Sequence, residues 1–233
     1  MIDLHRREGR LLRIGHRGAA ALAPENTLEA LETAVELGCD LVEFDVLELD
    51  GALVLAHSAA ELPTEPATLD EALAFLAGTA AGVHADLKSR GIEAALVERL
   101  RAHGLAERTL VSSFDPADLR ALQPLEPGLQ LGLAYPEDRF GVSRRRVLLP
   151  LVVAGLRLMR AGLPPRAGRM LAGARASAAM LHWSVVSESV VERCHALGVP
   201  VLAWTVVSGK EVRRLDQLGV DGVIADDPRI VPG

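Results

Sequence analysis

Cysteine is nearly absent from this chain. The two that occur, Cys39 and Cys194, form no CxxC pair, which excludes a zinc ribbon, a dithiol redox motif and a disulfide framework. Both sit in apolar-patterned surroundings and are expected as buried free thiols. Aromatic residues make up only 3% of the sequence, so aliphatic side chains must fill the core. Long apolar runs are missing too. The stretch Val147 to Leu156 has ten residues, about half of what a bilayer span needs. The opening "MIDLHRREGRLLRIG" carries charges but no apolar centre before a cleavage site, so no signal peptide is expected and the reducing cytoplasm is the expected compartment. A net charge of −6 argues against broad nucleic-acid binding by the whole surface.

What is present is material for one sizeable core. The 233 residues are 49% apolar, the balance of a soluble globular protein. Apolar strand-like runs alternate with helical patterns almost throughout. Strands are expected at Leu11–Gly15, in "DLVEFDVLE", "ALVLAH", "GVHADLK" and "TLVSSF", at Leu129–Ala134, and in "AAMLHW", "PVLAWTV" and "DGVIAD". Helices are expected at Asn26–Leu37, Leu69–Leu76, Ile92–His103, Pro116–Leu122, Ser187–Leu197 and Gly209–Leu218. Gly38, Gly198 and Gly219 follow helical patterns, where a left-handed residue ends a helix. Alternation of this kind implies parallel strands, because each crossover helix returns the chain to the same edge. Eight principal strands, starting at Leu11, Leu41, Gly82, Thr109, Leu129, Ala178, Pro200 and Asp221, favour a closed (β/α)8 TIM barrel over a doubly wound sheet. No linker divides the chain, so residues 1–233 are read as one domain.

One segment breaks the acidic average. Residues 139–175 contain nine arginines and neither Asp nor Glu. It is expected as a basic, apolar helical excursion, either packed on the domain with its arginines solvated or lying on an anionic membrane surface.

A barrel carries its chemistry at the C-terminal ends of its strands. His16 and Arg17 follow the first strand. Glu43 and Asp45 lie two apart on the second and so share a face, with Phe44 on the other. Asp86 and Lys88 repeat that spacing on the third, and His57 ends "ALVLAH". Two inward carboxylates on an apolar strand repel and are costly to desolvate. A cation resolves this: Glu43, Asp45 and Asp86 offer three oxygen ligands suited to Mg²⁺ or Ca²⁺. Arg17 and Lys88 would face an anion touching the same metal, and a phosphate fits. His16 and His57 remain as proton carriers near neutral pH. His84 shares the face of Asp86 and is a candidate to line the barrel without a catalytic role.

With those residues assigned, the sequence resembles the glycerophosphodiester phosphodiesterase family. "GHRG", "PENT", "VEFDV", "AHS", "HADLK" and the closing "VLAWTVVSGKEVRRLDQLGVDGVIADDP" carry the likeness. The resemblance implies a TIM barrel that hydrolyses glycerophosphodiesters to glycerol 3-phosphate and an alcohol. It implies His16 and His57 as the acid/base pair, Glu43, Asp45 and Asp86 on the divalent metal, and Arg17 and Lys88 on the phosphate. It also implies Trp204 in the substrate pocket. The small-molecule diester is then the expected partner. Gly18 is expected to let the chain turn close beside the phosphate, with Asn26 and Thr27 fixing the turn and capping the first helix. The chain departs from the family pattern in Ser58 after His57, in Asp86 where Glu is frequent, in Val207 after "WTV" and in "ADDP". Two rivals accompany this reading. One is a lysophospholipase D acting on membrane lysolipids, with the basic segment at the inner membrane face. The other is a non-catalytic lipid-binding barrel.

Overall fold

The computed structural model describes residues 1–137 and 149–232. Arg139 and Arg144 to Arg146 of the expected basic excursion lie outside them. The chain begins its regular structure with strand β1 (Leu12–Gly15) and helix α1 (Leu28–Glu36), then β2 (Leu41–Leu49), β3 (Ala52–Leu55) and α2 (Leu69–Ala77). Next come β4 (Gly82–Leu87), α3 (Glu93–Ala102), β5 (Thr109–Ser113), α4 (Pro116–Leu125) and β6 (Gln130–Tyr135). Two consecutive helices follow, α5 (Leu149–Gly162) and α6 (Pro164–Ala174), before β7 (Ala178–His182), α7 (Glu188–His195), β8 (Val201–Val206), α8 (Gly209–Gln217) and β9 (Gly222–Ala225).

All of these strands except β3 pair in parallel around a ring, and the pairing of β1 with β2 closes it. The expected eight-stranded (β/α)8 barrel is therefore the observed fold. β3 stands outside the ring, antiparallel to the far end of β2, and delivers His57 to the barrel rim.

Strand alternation splits the core in two. Side chains pointing into the barrel (Leu12, Ile14, Leu41, Leu110, Met180, Leu202 and Ile224) form an inner cluster. Their neighbours, among them Val42, Phe44, Val83, Val111 and Val223, pack outward beneath the helices. The few aromatics leave the inner cluster small, and the amino-terminal segment completes it. Leu4 is buried there and Ile2 packs against it. Ile2 is seated over Gly82, where a Cβ would lie 2.4 Å from its Cδ1, and its carbonyl accepts from Gln130 Nε2 at 3.1 Å. Gly82 and Gln130 are the first residues of β4 and β6, so this segment plugs the N-terminal end of the barrel.

Helix starts follow ordinary capping chemistry. The side chains of Thr27, Thr68, Asp115, Ser187 and Ser208 each accept a first-turn backbone N–H, satisfying a group the helix cannot. Helix α1 begins at Leu28 rather than at the expected Asn26, because Asn26 adopts φ 58° and its side chain is committed elsewhere. Strand β7 ends one residue before the expected Trp183. His182 accepts from the Ser184 N–H and turns the chain into a short 3-10 helix.

Gly18 makes a left-handed turn and carries a further constraint. Its φ is +83°, and a Cβ there would lie 2.4 Å from the carbonyl carbon of Ala30 and 2.6 Å from its oxygen. The close approach is to the backbone of α1, so glycine is needed here to seat that helix against the β1 exit turn.

Candidate active site

The loop after β1 is built to present polar groups. Arg17 takes φ 47°, an uncommon left-handed conformation for a side-chain-bearing residue. In that turn its N–H donates to Glu43 Oε2 at 2.5 Å, while the Gly18 N–H donates to the Glu43 carbonyl at 2.8 Å. Asn26 makes a two-point clasp on β2: its Nδ2 donates to Asp45 Oδ2 at 2.9 Å, and its Oδ1 accepts from the Asp45 N–H at 3.0 Å. "HRG" and "PENT" therefore both serve to grip the carboxylates of β2.

A cavity of about 160 Å³ opens at the C-terminal end of the barrel. His16, Arg17, Glu43, Asp45, His57, Asp86, Lys88 and Trp204 all line it. The structure thus brings every sequence-nominated residue to one place. Glu43, Asp45 and Asp86 each offer an oxygen, and the three lie within 4.8 Å of one another. Adjacent registers explain this, since Asp45 pairs with Asp86 across β2 and β4, and Glu43 stands two residues before Asp45.

The carboxylates are held among cations. Arg17 Nε is 3.0 Å and Lys88 Nζ 2.9 Å from Asp45, and Lys88 also contacts Asp86. His57 Nδ1 stands 3.4 Å from Asp45 Oδ2, outside hydrogen-bonding geometry, so that contact is electrostatic. Burial alone would raise the Asp45 pKa, but His57, Lys88, Arg17 and Asn26 hold it well below the ordinary carboxylate range. Glu43 goes the other way: complete burial raises it, only partly offset by His16, and Asp45 and Asp86 add to the rise. A fully buried carboxyl whose charge is resisted, beside two more oxygens and within reach of fixed cations, is a donor set that fits a hard divalent ion.

His16 is poised by Asp226. Its Nδ1 lies 2.6 Å from Asp226 Oδ1, and its Nε2 is 3.4 Å from Thr205 Oγ1. Burial would lower its pKa, but Glu43 and Asp226 outweigh that and raise it. Trp204 forms one wall. It donates to the Met180 carbonyl at 3.0 Å and meets Phe114 and His182 edge-on, with ring centroids 5.6 Å and 5.2 Å away.

Asp226, Ser112 and Phe114 received no role from sequence. A signal existed for each, because strand period two places Asp226 on the face of Gly222 and Ile224, and places Ser112 and Phe114 on the face of Leu110. His84, left open from sequence, lines the cavity. Cys39 and Cys194 are buried and unpaired, and burial raises their thiols to about 12 and about 11, so neither is a nucleophile.

The Glycerophosphoryl diester phosphodiesterase family profile matches residues 16–75 and 80–230. A glycerophosphodiester phosphodiesterase from Caldanaerobacter subterraneus subsp. tengcongensis is 29% identical, with 93% of this chain and 94% of that protein aligned. Two solved structures share the architecture. One, from Silicibacter pomeroyi, superposes with a TM-score of 0.79 at 24% identity, covering 98% of this chain and 95% of that one. An Oleispira antarctica phosphodiesterase, solved with the product sn-glycerol-3-phosphate, gives 0.74 at 24% identity over 94% of both chains. A profile that runs through almost the whole barrel and takes in each strand end bearing a cavity residue leaves one assignment: the chain belongs to the glycerophosphoryl diester phosphodiesterase family.

Proposed function

We propose that this protein hydrolyses glycerophosphodiesters to glycerol 3-phosphate and an alcohol with a two-histidine acid/base mechanism supported by Mg²⁺ or Ca²⁺. The observation that carries the reading is the convergence of two histidines, three carboxylates, Arg17 and Lys88 on one cavity. Glu43, Asp45 and Asp86 would hold the metal, which when bound supplies Lewis-acid polarisation of the phosphoryl oxygens. Arg17 and Lys88 bind the non-bridging oxygens and offset the charge that builds in the transition state. One histidine accepts the proton of the attacking hydroxyl as its oxygen bonds to phosphorus. The other donates a proton to the alcohol oxygen as its bond to phosphorus breaks. The attacking hydroxyl is water, or the neighbouring glycerol hydroxyl through a cyclic phosphate that water then opens. Asp226 contacts His16 Nδ1 and helps to raise its basicity. Trp204 and Phe114 form the apolar wall of the substrate pocket. The cytoplasmic setting stays part of this proposal, supported by the buried, unpaired cysteines.

Release of glycerol 3-phosphate from glycerophosphocholine by the purified protein is the test. EDTA should abolish it, and Mg²⁺ or Ca²⁺ should restore it. No release with either ion, from this diester or from a lysolipid, overturns the reading in favour of a non-catalytic lipid-binding barrel.

A second reading, lysophospholipase D-type activity on membrane lysolipids, is favoured by α5. This helix packs against the short 3-10 helix at Trp183, beside the cavity end of the barrel. Leu156 faces the core, while Val153, Leu158 and Met159 are exposed, Leu158 at 75%. Arg157 and Arg160 flank them, with no acidic residue along α5 or α6. Exposed apolar side chains framed by arginines suit the interface of an anionic bilayer. No helix among the described residues is long and apolar enough to cross one. Sedimentation with phosphatidylglycerol vesicles, but not phosphatidylcholine vesicles, is expected, and Leu158→Glu should abolish it while sparing turnover of glycerophosphocholine. Equal partition with both vesicle types counts against this reading.

A further inference from the structure

His84 is 2% exposed and lines the cavity, whose lining also includes the apolar Ala134, Met180 and Ile224. Its Nε2 lies 2.8 Å from Ser112 Oγ. The Ser112 hydroxyl donates its single proton to Asp86 Oδ1, so its oxygen must accept from His84, and the proton of the ring sits on Nε2. Neither ring nitrogen hydrogen-bonds a carboxylate, and a buried imidazole without such a partner is neutral. The other nitrogen, Nδ1, is therefore a bare acceptor. It is buried and has no hydrogen-bond partner. Arg17 Nε and His57 Nδ1, also without hydrogen bonds, have Asp45 within 3.4 Å.

The carboxylates around the cavity are engaged by donors, and His16 and His57 are given to proton transfer in the proposed mechanism. Glu43 accepts from the Arg17 N–H, Asp45 is engaged by Asn26, Arg17 and Lys88, and Asp86 by Lys88 and Ser112. The free side-chain groups of Arg17 and Lys88 are donors and suit a phosphate. A ligand hydroxyl needs the opposite partner, and an unpaired buried acceptor gains most from receiving one. We propose that His84 Nδ1 accepts a hydrogen bond from a hydroxyl of the glycerol moiety and so selects glycerol over an alkyl group on the phosphate. Ser112 is the positioning residue that fixes the ring. This inference rests on the diesterase reading for the identity of the polyol.

Calorimetric titration in MgCl₂ with sn-glycerol 3-phosphate and with n-propyl phosphate tests it, since the two share the phosphate and differ in the hydroxyls. The wild type should bind glycerol 3-phosphate about tenfold more tightly, the worth of one good hydrogen bond. His84→Leu should erase that preference and leave propyl phosphate within about twofold. His84→Asn, which keeps an acceptor oxygen, should restore part of it. A thermal melt checks that each variant is folded. Equal weakening of both ligands, no weakening of either, or no preference in the wild type overturns the inference. Failure of the wild type to cleave glycerophosphocholine, with the His84-dependent preference intact, overturns the diesterase reading alone.

Discussion

His16 Nδ1 and Asp226 Oδ1 are 2.6 Å apart, joining the exit of β1 to the exit of β9, its parallel neighbour in the barrel. The carboxylate orients the ring and keeps its proton on Nδ1, so that Nε2 serves the cavity. Asp226→Asn should lower kcat by roughly tenfold to a hundredfold with a smaller change in KM. Because Asp226 contributes to raising the His16 pKa, the basic histidine of the pH–rate profile should also titrate at lower pH. A uniform drop with an unshifted profile would assign Asp226 a structural role only.

Removing either histidine should be far more damaging. His16→Ala and His57→Ala are each expected to reduce turnover by about two to four orders of magnitude, with an unchanged circular dichroism spectrum. Near-normal turnover in both would end the acid/base proposal.

Stability should depend on pH and metal together. Glu43 has a raised pKa in the folded protein, so the folded state holds that proton more tightly than the unfolded chain. The resulting stabilisation is complete below the ordinary Glu pKa and is lost as pH rises through the raised one. In EDTA the melting temperature should therefore fall between about pH 5 and about pH 8. Divalent ions bind the ionised form, so the Mg²⁺-induced rise in melting temperature should be larger at the higher pH. Asp45 acts in the opposite sense, its stabilisation being lost only in acid below the ordinary Asp range. A Mg²⁺ effect that shrinks as pH rises would contradict this assignment.

Gly18→Ala should cost about 3 kcal/mol, from a disfavoured left-handed backbone and a forced shift of α1. A melting temperature lower by roughly 10 °C is the expected reading. Gly38 has a similar φ of +70° but open space around it, so Gly38→Ala should cost only about 1 kcal/mol.

Much of this was legible in the chain because barrels repeat one simple unit. β-branched runs, capping residues and helix-ending glycines are local signals, and the paired "EFD" and "DLK" spacings fix a face by strand period alone. The second constraint on Gly18 escaped, because it is a tertiary contact with Ala30, which no local pattern encodes. Asp226 and Ser112 escaped because a polar residue at a strand end gains meaning only from what stands opposite. Strand period put His84 on the barrel-lining face, but its unpaired Nδ1 depends on Ser112 opposite, which no local pattern shows.

The plug formed by Ile2 and Leu4 seals the N-terminal end of the barrel, while the cavity faces the other. The barrel is a cup and not a tube. Diester, water, alcohol and phosphomonoester all share one rim, so the order in which the two products depart is set by their hold on the same few side chains.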